Sequence, residues 1–427
     1  MEIQMKNNVK LHVSIAEDWG ARPYMQDATA IHFEKLKNSE ECAAFAIYDG
    51  HGGDSASFFA RDNMMKFIKK EEGFMSSNTE IVKKALKKAF LACHGAMATK
   101  LAQWPRDDKG NLSTAGTTAA LVIIRGKQIF IVHCGDSAVW MGIESDEVTP
   151  WGDQPWKGRN LTEEHKPTAP KEMQRINAAG GKIRIGKQNC HRVVWTRPKR
   201  NAIDPEETED IPFLNIARSL GNFWSWKESS KCYLVSPEPD VSVMNIDDFR
   251  YDARCLIIAS DGVTNLMKPD EAAVIVHEFQ DNREHGTHTG MLPAQLIVNQ
   301  AIAIGKIPRR TQGVADNASA IVIIPMFDED DTDEDDEIEE IFEDVEKPPE
   351  IQKVTTEAYI RSVERAKRKR AIKTTIDNKE NHDSPAPAKK PKAGEPEEKE
   401  SRIIERRHSE RLAEREERST RSRTRTF

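Results

Sequence analysis

Apolar residues follow two patterns over the first 327 positions. Short runs rich in β-branched residues predict strands: LHVSIAED (11–18), CAAFAIYDG (42–50), AALVIIRGKQIFIVHCGDSAVWMGI (119–143), DVSVMNI (240–246), CLIIASDG (255–262) and ASAIVIIP (318–325). Several lack polar alternation, the pattern of strands buried on both faces. RGKQ inside the longest run predicts a hairpin and so antiparallel pairing. Apolar steps of three and four predict helices over 54–71, 79–104, 168–179, 269–280 and 291–304, with Asn78 or Thr79 and Pro269 at favoured helix starts. Strands and helices mix without regular βαβ alternation. The expected class is therefore α+β, with helices covering a mainly antiparallel sheet system.

Charge divides the chain more sharply than hydropathy does. Residues 1–327 carry 40 basic and 41 acidic groups, whereas 328–346 (DEDDTDEDDEIEEIFEDVE) carry 14 acidic and none basic. A block that repels itself and holds few apolar side chains cannot offset the entropy of ordering. It predicts a solvated acidic linker. Residues 347–427, with 23 basic and 15 acidic groups, read as a basic, mostly disordered tail. The expected layout is an N-terminal leader over 1–10, one catalytic-sized domain over 11–327, the linker and the tail. Six cysteines form no CxxC pair, which suits a reducing compartment. The N-terminal stretch is not built like a secretory signal, and no apolar run approaches the roughly 18 residues of a membrane span. The expectation is a soluble intracellular protein that does not engage membranes.

Candidate chemistry sits at strand ends. YDGHGG places Asp49 beyond one apolar run, LIIASDG places Asp261 beyond another, DNASAIVII places Asp316 before a third, and IVHCGDS gives Asp136. One Asp beside Gly is an ordinary turn former. Four at the ends of buried strands can converge at one sheet edge, and converging carboxylates stay ionised only beside a cation. Oxygen ligands of this kind select hard ions such as Mg²⁺ or Mn²⁺. A P-loop would need Lys after its glycines, and DGHGGDSAS has none; zinc would need His or Cys at ligand spacing near His51.

RPYMQDA, YDGHGG, AGTTAALVI, HCGDSAV, LTEEHKP, ARSLGN, SPEPDV, SDGVTNLM and DNASAIVI occur in the order found in the metal-dependent protein phosphatases of the 2C family, which the chain resembles over about 11–326. VSIAEDWGARPYMQD, GFMSSN, FLACHGAM, RVVWTRP and IPFLNIARSLGNFWS further resemble the nuclear Wip-type branch of DNA-damage and stress signalling. The resemblance implies a β-sandwich flanked by helices, with two Mg²⁺ or Mn²⁺ ions in a cleft. On the matching positions Asp49 would bridge both ions, the Gly50 carbonyl would bind one, Asp261 and Asp316 would hold the other, and Asp136 would serve a looser third position. Water activated between the cations would attack phosphorus in line. Arg22 would orient the phosphoryl oxygens, His51 would protonate the leaving oxygen, and Asp27 would orient water from behind the ligands. Gln26, Asn222 and Asn265 stand where family members commonly carry acids. They leave the two-metal core intact and put a third ion in doubt.

Two further features bear on partners. The segment 183–213, with Arg192, Arg197, Lys199 and Arg200 around Trp195, is expected as a flexible basic flap that engages acidic or doubly phosphorylated peptides. In the tail, AKRKR (366–370) and AKKPK (388–392) have the spacing of a paired nuclear import signal, and Ser384 and Ser409 stand in kinase-site contexts. The terminal Arg-rich stretch lacks interleaved aromatics, which argues against a nucleic-acid partner. The expected function is a nuclear, monomeric serine/threonine phosphatase acting on checkpoint or stress kinases and their substrates, brought in by an import receptor. The alternative is a weakly active phosphatase fold that binds and sequesters a kinase.

Overall fold

A computed structural model of the chain describes residues 1–327 except 6–7, 37–39, 108, 146–155, 187–188, 200–206, 285, 287–289 and 308–314. The acidic linker, the tail, both basic clusters, Ser384 and Ser409 lie outside the described residues, as does Arg200.

The strands are β1 (Glu2–Gln4), β2 (Val9–Asp18), β3 (Ala28–Lys35), β4 (Glu41–Tyr48), β5 (Gly50–His51), β6 (Gly116–Thr117), β7 (Ala119–Arg125), β8 (Gln128–Cys134), β9 (Ala138–Ile143), β10 (Lys157–Asn160), β11 (Ile183–Ile185), β12 (His191–Pro198), β13 (Thr208–Leu214), β14 (Leu220–Gly221), β15 (Trp226–Lys227), β16 (Cys232–Tyr233), β17 (Asp240–Asn245), β18 (Ala253–Ala259) and β19 (Ala318–Phe327). The helices are α1 (Ser55–Lys70), α2 (Thr79–Lys100), α3 (Pro170–Ala178), α4 (Asp261–Thr264), α5 (Pro269–Glu284) and α6 (Pro293–Gly305).

Two antiparallel sheets form the centre, one ordered β1-β2-β19-β18-β9-β10 and the other β17-β8-β7-β4-β3. Unbroken apolar runs are explained by burial on both faces. In β4, Ala43, Phe45 and Ile47 meet the facing sheet, while Cys42, Ala44, Ala46 and Tyr48 pack with α1 and α2. In β19, Ile321 and Ile323 enter the same inter-sheet core, while Ala320, Val322 and Ile324 pack with α5 and α6. The result is a helix–sheet–sheet–helix sandwich, the expected α+β architecture. Asn78 caps α2 by accepting from the Glu80 and Ile81 amides, and proline opens α3, α5 and α6. No helix among the described residues is long and apolar enough to cross a membrane.

Two expectations change. Residues 1–10 are not a detached leader: β1 pairs with β2, and Ile3 and Met5 are buried in the core. Their alternation was too short to register as a strand. The described residues of the 183–213 segment are not a free basic flap but belong to a three-stranded sheet, β11-β12-β13, seated on α3 through Ile176, Val193 and Leu234.

Strand register sets where the site forms. Ala259 at the end of β18 lies opposite Ala138 at the start of β9 and Ala320 near the start of β19. Ala318 in turn faces Asp18 at the end of β2. In the second sheet, Ile47 near the end of β4 faces Ala120, and Ala119 faces Cys134 at the end of β8. One rim of the sandwich therefore receives Asp261, Asp136, Asp316, the chain leading to Arg22, and Asp49.

Candidate active site

Asp49 is pinned by its backbone: its amide donates to Thr118 Oγ1 at 3.1 Å, and its carbonyl accepts from the Thr118 amide at 2.9 Å. Gly50 and His51 then pair with Thr117 and Gly116, which pair with Leu220 and Gly221. Gly52 and Gly53 take φ of 68° and 122°, the turn expected of them. Asp261 opens α4, and its amide donates to Asp49 Oδ2 at 3.2 Å, so two carboxylate-bearing strand ends are joined directly. Asn265 Nδ2 donates to Asp261 Oδ2 at 3.1 Å, which places this departure from the family text as a partner of a candidate ligand.

The electrostatics of the rim are those of excess buried negative charge. Burial first, then the carboxyls of Asp27, Asp261 and Asp136, push Asp49 well above the usual carboxylate range. Burial, with Asp136 and Asp316, raises Asp261 to about 7. Burial raises Asp27 to about 6 even though Ser319 Oγ donates to it at 2.8 Å. Asp136 is buried against the Lys166 ammonium, and Asp316 pairs with Arg22 Nη2 at 2.6 Å. Carboxyls that resist ionisation because they are buried, and secondarily because carboxyls lie near them, are a donor set that a divalent cation would satisfy. No group of three or more His, Cys, Asp or Glu side chains among the described residues is already placed to hold a metal ion.

A pH dependence follows. Between about pH 4 and 7 the folded protein keeps protons on Asp27, Asp261 and Asp49 that the unfolded chain has released, so without a cation these groups lower stability as pH rises. His94 and His133, lowered by burial to about 4 and about 3, act in the opposite sense with or without metal. The stabilisation given by saturating Mn²⁺ over chelator should therefore widen from pH 4 to 7. Urea midpoints measured in both conditions test this, and a constant difference would refute a cation site at these carboxyls.

The remaining predicted residues divide. His51 Nε2 lies 2.8 Å from Asn222 Oδ1, and Asn222 Nδ2 donates to the Thr114 carbonyl, which fixes the amide so that the His51 proton resides on Nε2. Burial lowers the His51 pKa, offset in part by that hydrogen bond. Gln26 joins the rim through its backbone: its amide donates to Asn317 Oδ1 at 2.9 Å, and its carbonyl accepts from Ser57 Oγ at 2.6 Å.

The three described flap cations meet partners inside their own sheet. Arg197 Nε donates to Glu209 Oε1 at 2.8 Å, Lys199 pairs with Glu207, and Arg192 Nη1 donates to the Phe213 carbonyl at 2.9 Å. Cross-strand register between β12 and β13 sets Arg197 opposite Glu209, so this face is charge-compensated rather than basic. Sequence reading missed Asn317 and Lys166. The only signal for either was its place beside Asp316 in DNAS and within LTEEHKP.

The comparisons with known proteins bear on the family and the fold. The family model for protein phosphatase 2C matches residues 12–307. A protein phosphatase 2C homolog 2 of Aspergillus fumigatus is 30% identical over 224 residues, 52% of this chain and 42% of that protein. A probable protein phosphatase 1N of Mus musculus is 26% identical over 274 residues, 63% of this chain and 56% of that protein. The chain thus spans about half the length of these curated relatives. Among solved structures, a serine-threonine phosphatase 2C from Toxoplasma gondii superposes with a TM-score of 0.57 at 21% identity, covering 76% of this chain and 99% of that one. A sex determining protein of C. elegans gives a TM-score of 0.51 at 18% identity over 74% of this chain and 64% of that one. At such identities the structures speak for the fold alone. With the family match covering more than two thirds of the chain, including Asp49, Asp136 and Asp261, this chain belongs to the protein phosphatase 2C family.

Proposed function

We propose that the chain is a Mg²⁺- or Mn²⁺-dependent protein serine/threonine phosphatase. The observation that carries the reading is the rim of buried carboxyls, Asp49, Asp261 and Asp27, gathered at one end of the sandwich and raised chiefly by burial, beside an arginine. Asp49 and the Gly50 carbonyl would hold one ion and Asp49, Asp261 and Asp316 the second, with Asp136 at a weaker third position already occupied by the Lys166 ammonium. Bound there, the ions would supply Lewis acidity that acidifies water and neutralises phosphoryl charge.

The protein's own groups do the rest. Arg22 shares a half-exposed ion pair with Asp316, worth little in stability, so its planar fork can turn to a phosphoryl group. Asp27, fixed by Ser319 Oγ at 2.8 Å, presents an acceptor behind the ligands. His51 is neutral with its proton held toward Asn222, so acting as an acid requires a second proton at Nδ1. An approaching phosphoryl dianion favours that proton.

Branch and setting belong to the same proposal. The Wip-like segments RVVWTRP and IPFLNIARSLGNFWS, with AKRKR and AKKPK, support a nuclear enzyme acting on phosphorylated checkpoint or stress proteins. The proposed layout is a phosphatase domain ending near Phe327, followed by linker and tail. Incubating the chain with a phosphothreonine peptide should release phosphate in Mn²⁺ or Mg²⁺ and not in chelator. A rate that survives chelation would overturn the proposal.

A further inference from the structure

The turn that carries Arg22 also displays two large aromatic side chains. Trp19 is 56% exposed and Tyr24 is 53% exposed, where burial is the usual fate of such rings. The turn is rigidly built. Gly20 sits at φ 64°, where a Cβ would lie 2.2 Å from the Asp316 carbonyl oxygen. Its amide donates to Asp18 Oδ1 at 2.7 Å, the Ala21 amide to the Ala315 carbonyl at 2.9 Å, and the Arg22 amide to the Trp19 carbonyl at 3.1 Å. Buried Asn317 closes the turn, because its Nδ2 donates to both the Trp19 and Tyr24 carbonyls at 3.0 Å.

One amide therefore fixes the backbone at both aromatics, and Arg22 lies between them. Exposed Trp and Tyr around Arg is the composition of binding hot spots, and rigid aromatic anchors lose little entropy when covered. The occupant is argued from the same turn. Arg22 is complementary to a phosphoryl dianion, so whatever covers the rings enters with a phosphate at the arginine.

Resting on the phosphatase reading, we propose that Trp19 and Tyr24 form a specificity wall that selects phosphopeptides with an apolar side chain within two residues of the phosphorylated serine or threonine. Acidic neighbours would be desolvated against the rings without a partner, whereas apolar ones gain burial.

The test compares two phosphothreonine peptides, one flanked by Leu and one by Ser, with phenyl phosphate as a small reference, all in Mn²⁺. The wild-type chain should favour the Leu peptide in kcat/KM by about tenfold, the scale of one hot-spot contact. Trp19→Ala and Trp19→Ala/Tyr24→Ala should bring the Leu-to-Ser ratio toward unity. A ratio near unity in the wild type or a ratio unchanged in the variants would overturn the proposal. So would a concentration-dependent dimer abolished by Trp19→Ala, which would assign the face to a second copy. If the wild type hydrolyses none of the three substrates in Mn²⁺, the phosphatase reading itself fails; hydrolysis of phenyl phosphate without peptide discrimination removes the wall alone.

Discussion

Asp49→Asn should lower Mn²⁺-dependent phosphate release by about a thousandfold or more while leaving the chelated protein no less stable. The substitution keeps the size of the side chain and an oxygen able to accept from the Asp261 amide, now 3.2 Å from Oδ2. It removes the anion that both proposed ions share, and each tenfold of rate corresponds to about 1.4 kcal/mol of transition-state stabilisation. Stability should move the other way. Burial and the carboxyls of Asp27, Asp261 and Asp136 make the ionised Asp49 costly without a cation, so a neutral amide relieves the folded state at neutral pH. Melting in chelator should be unchanged or higher, and the added stability from Mn²⁺ should shrink. Retention of more than a tenth of the activity would remove Asp49 from the metal site, and a lower melting point in chelator would make its role structural.

The candidate ligands were legible because each announces itself locally, as an Asp at the end of an apolar run that must be a buried strand. Asp49 after AAFAIY, Asp261 after LIIAS and Asp316 before ASAIVII needed only strand ends to be gathered at one rim, which register supplies. Less was legible where side chains alternate or elements are short. The edge strand β3 reads ATAIHFEK, with small alanines inward and Phe33 at 45% exposure, so it shows little apolar contrast. The four-residue α4 is too brief for a helical period. Interactions set by distant partners were also invisible. Asn317 works through carbonyls nearly three hundred residues earlier, and Arg197 is neutralised only because the β12–β13 register sets it against Glu209.

A buried ion cluster behind the site should give the largest stability effect. Arg218 donates to Glu172 Oε1 from Nε at 2.9 Å and from Nη2 at 2.6 Å, and reaches Asp240 Oδ1 at 3.0 Å and the Glu238 carbonyl at 3.1 Å. Arg175 completes the set by donating from Nε to Glu172 Oε2 at 2.9 Å. The side chains of Glu172 and Arg218 are 2% and 6% exposed, so this pair ties α3, and the β11-β12-β13 sheet seated on it, to the segment leading to Asn222 and His51. Burial alone would raise the Glu172 carboxyl, but Arg218 and Arg175 outweigh it and hold it below its ordinary value. Arg218→Met keeps much of the side-chain volume and strands Glu172, so it should cost about 3–5 kcal/mol, as expected when one partner of a buried pair is removed. Hydrogen exchange should rise first in Pro170–Ala178, the helix whose anchor is lost. The penalty should also diminish as pH falls below about 4.5, where an unpaired Glu172 is protonated and its burial costs less. Urea unfolding of both proteins at pH 7 and pH 4 decides the matter: a loss under about 1 kcal/mol at pH 7 would mean that solvent or Arg175 satisfies Glu172 without Arg218.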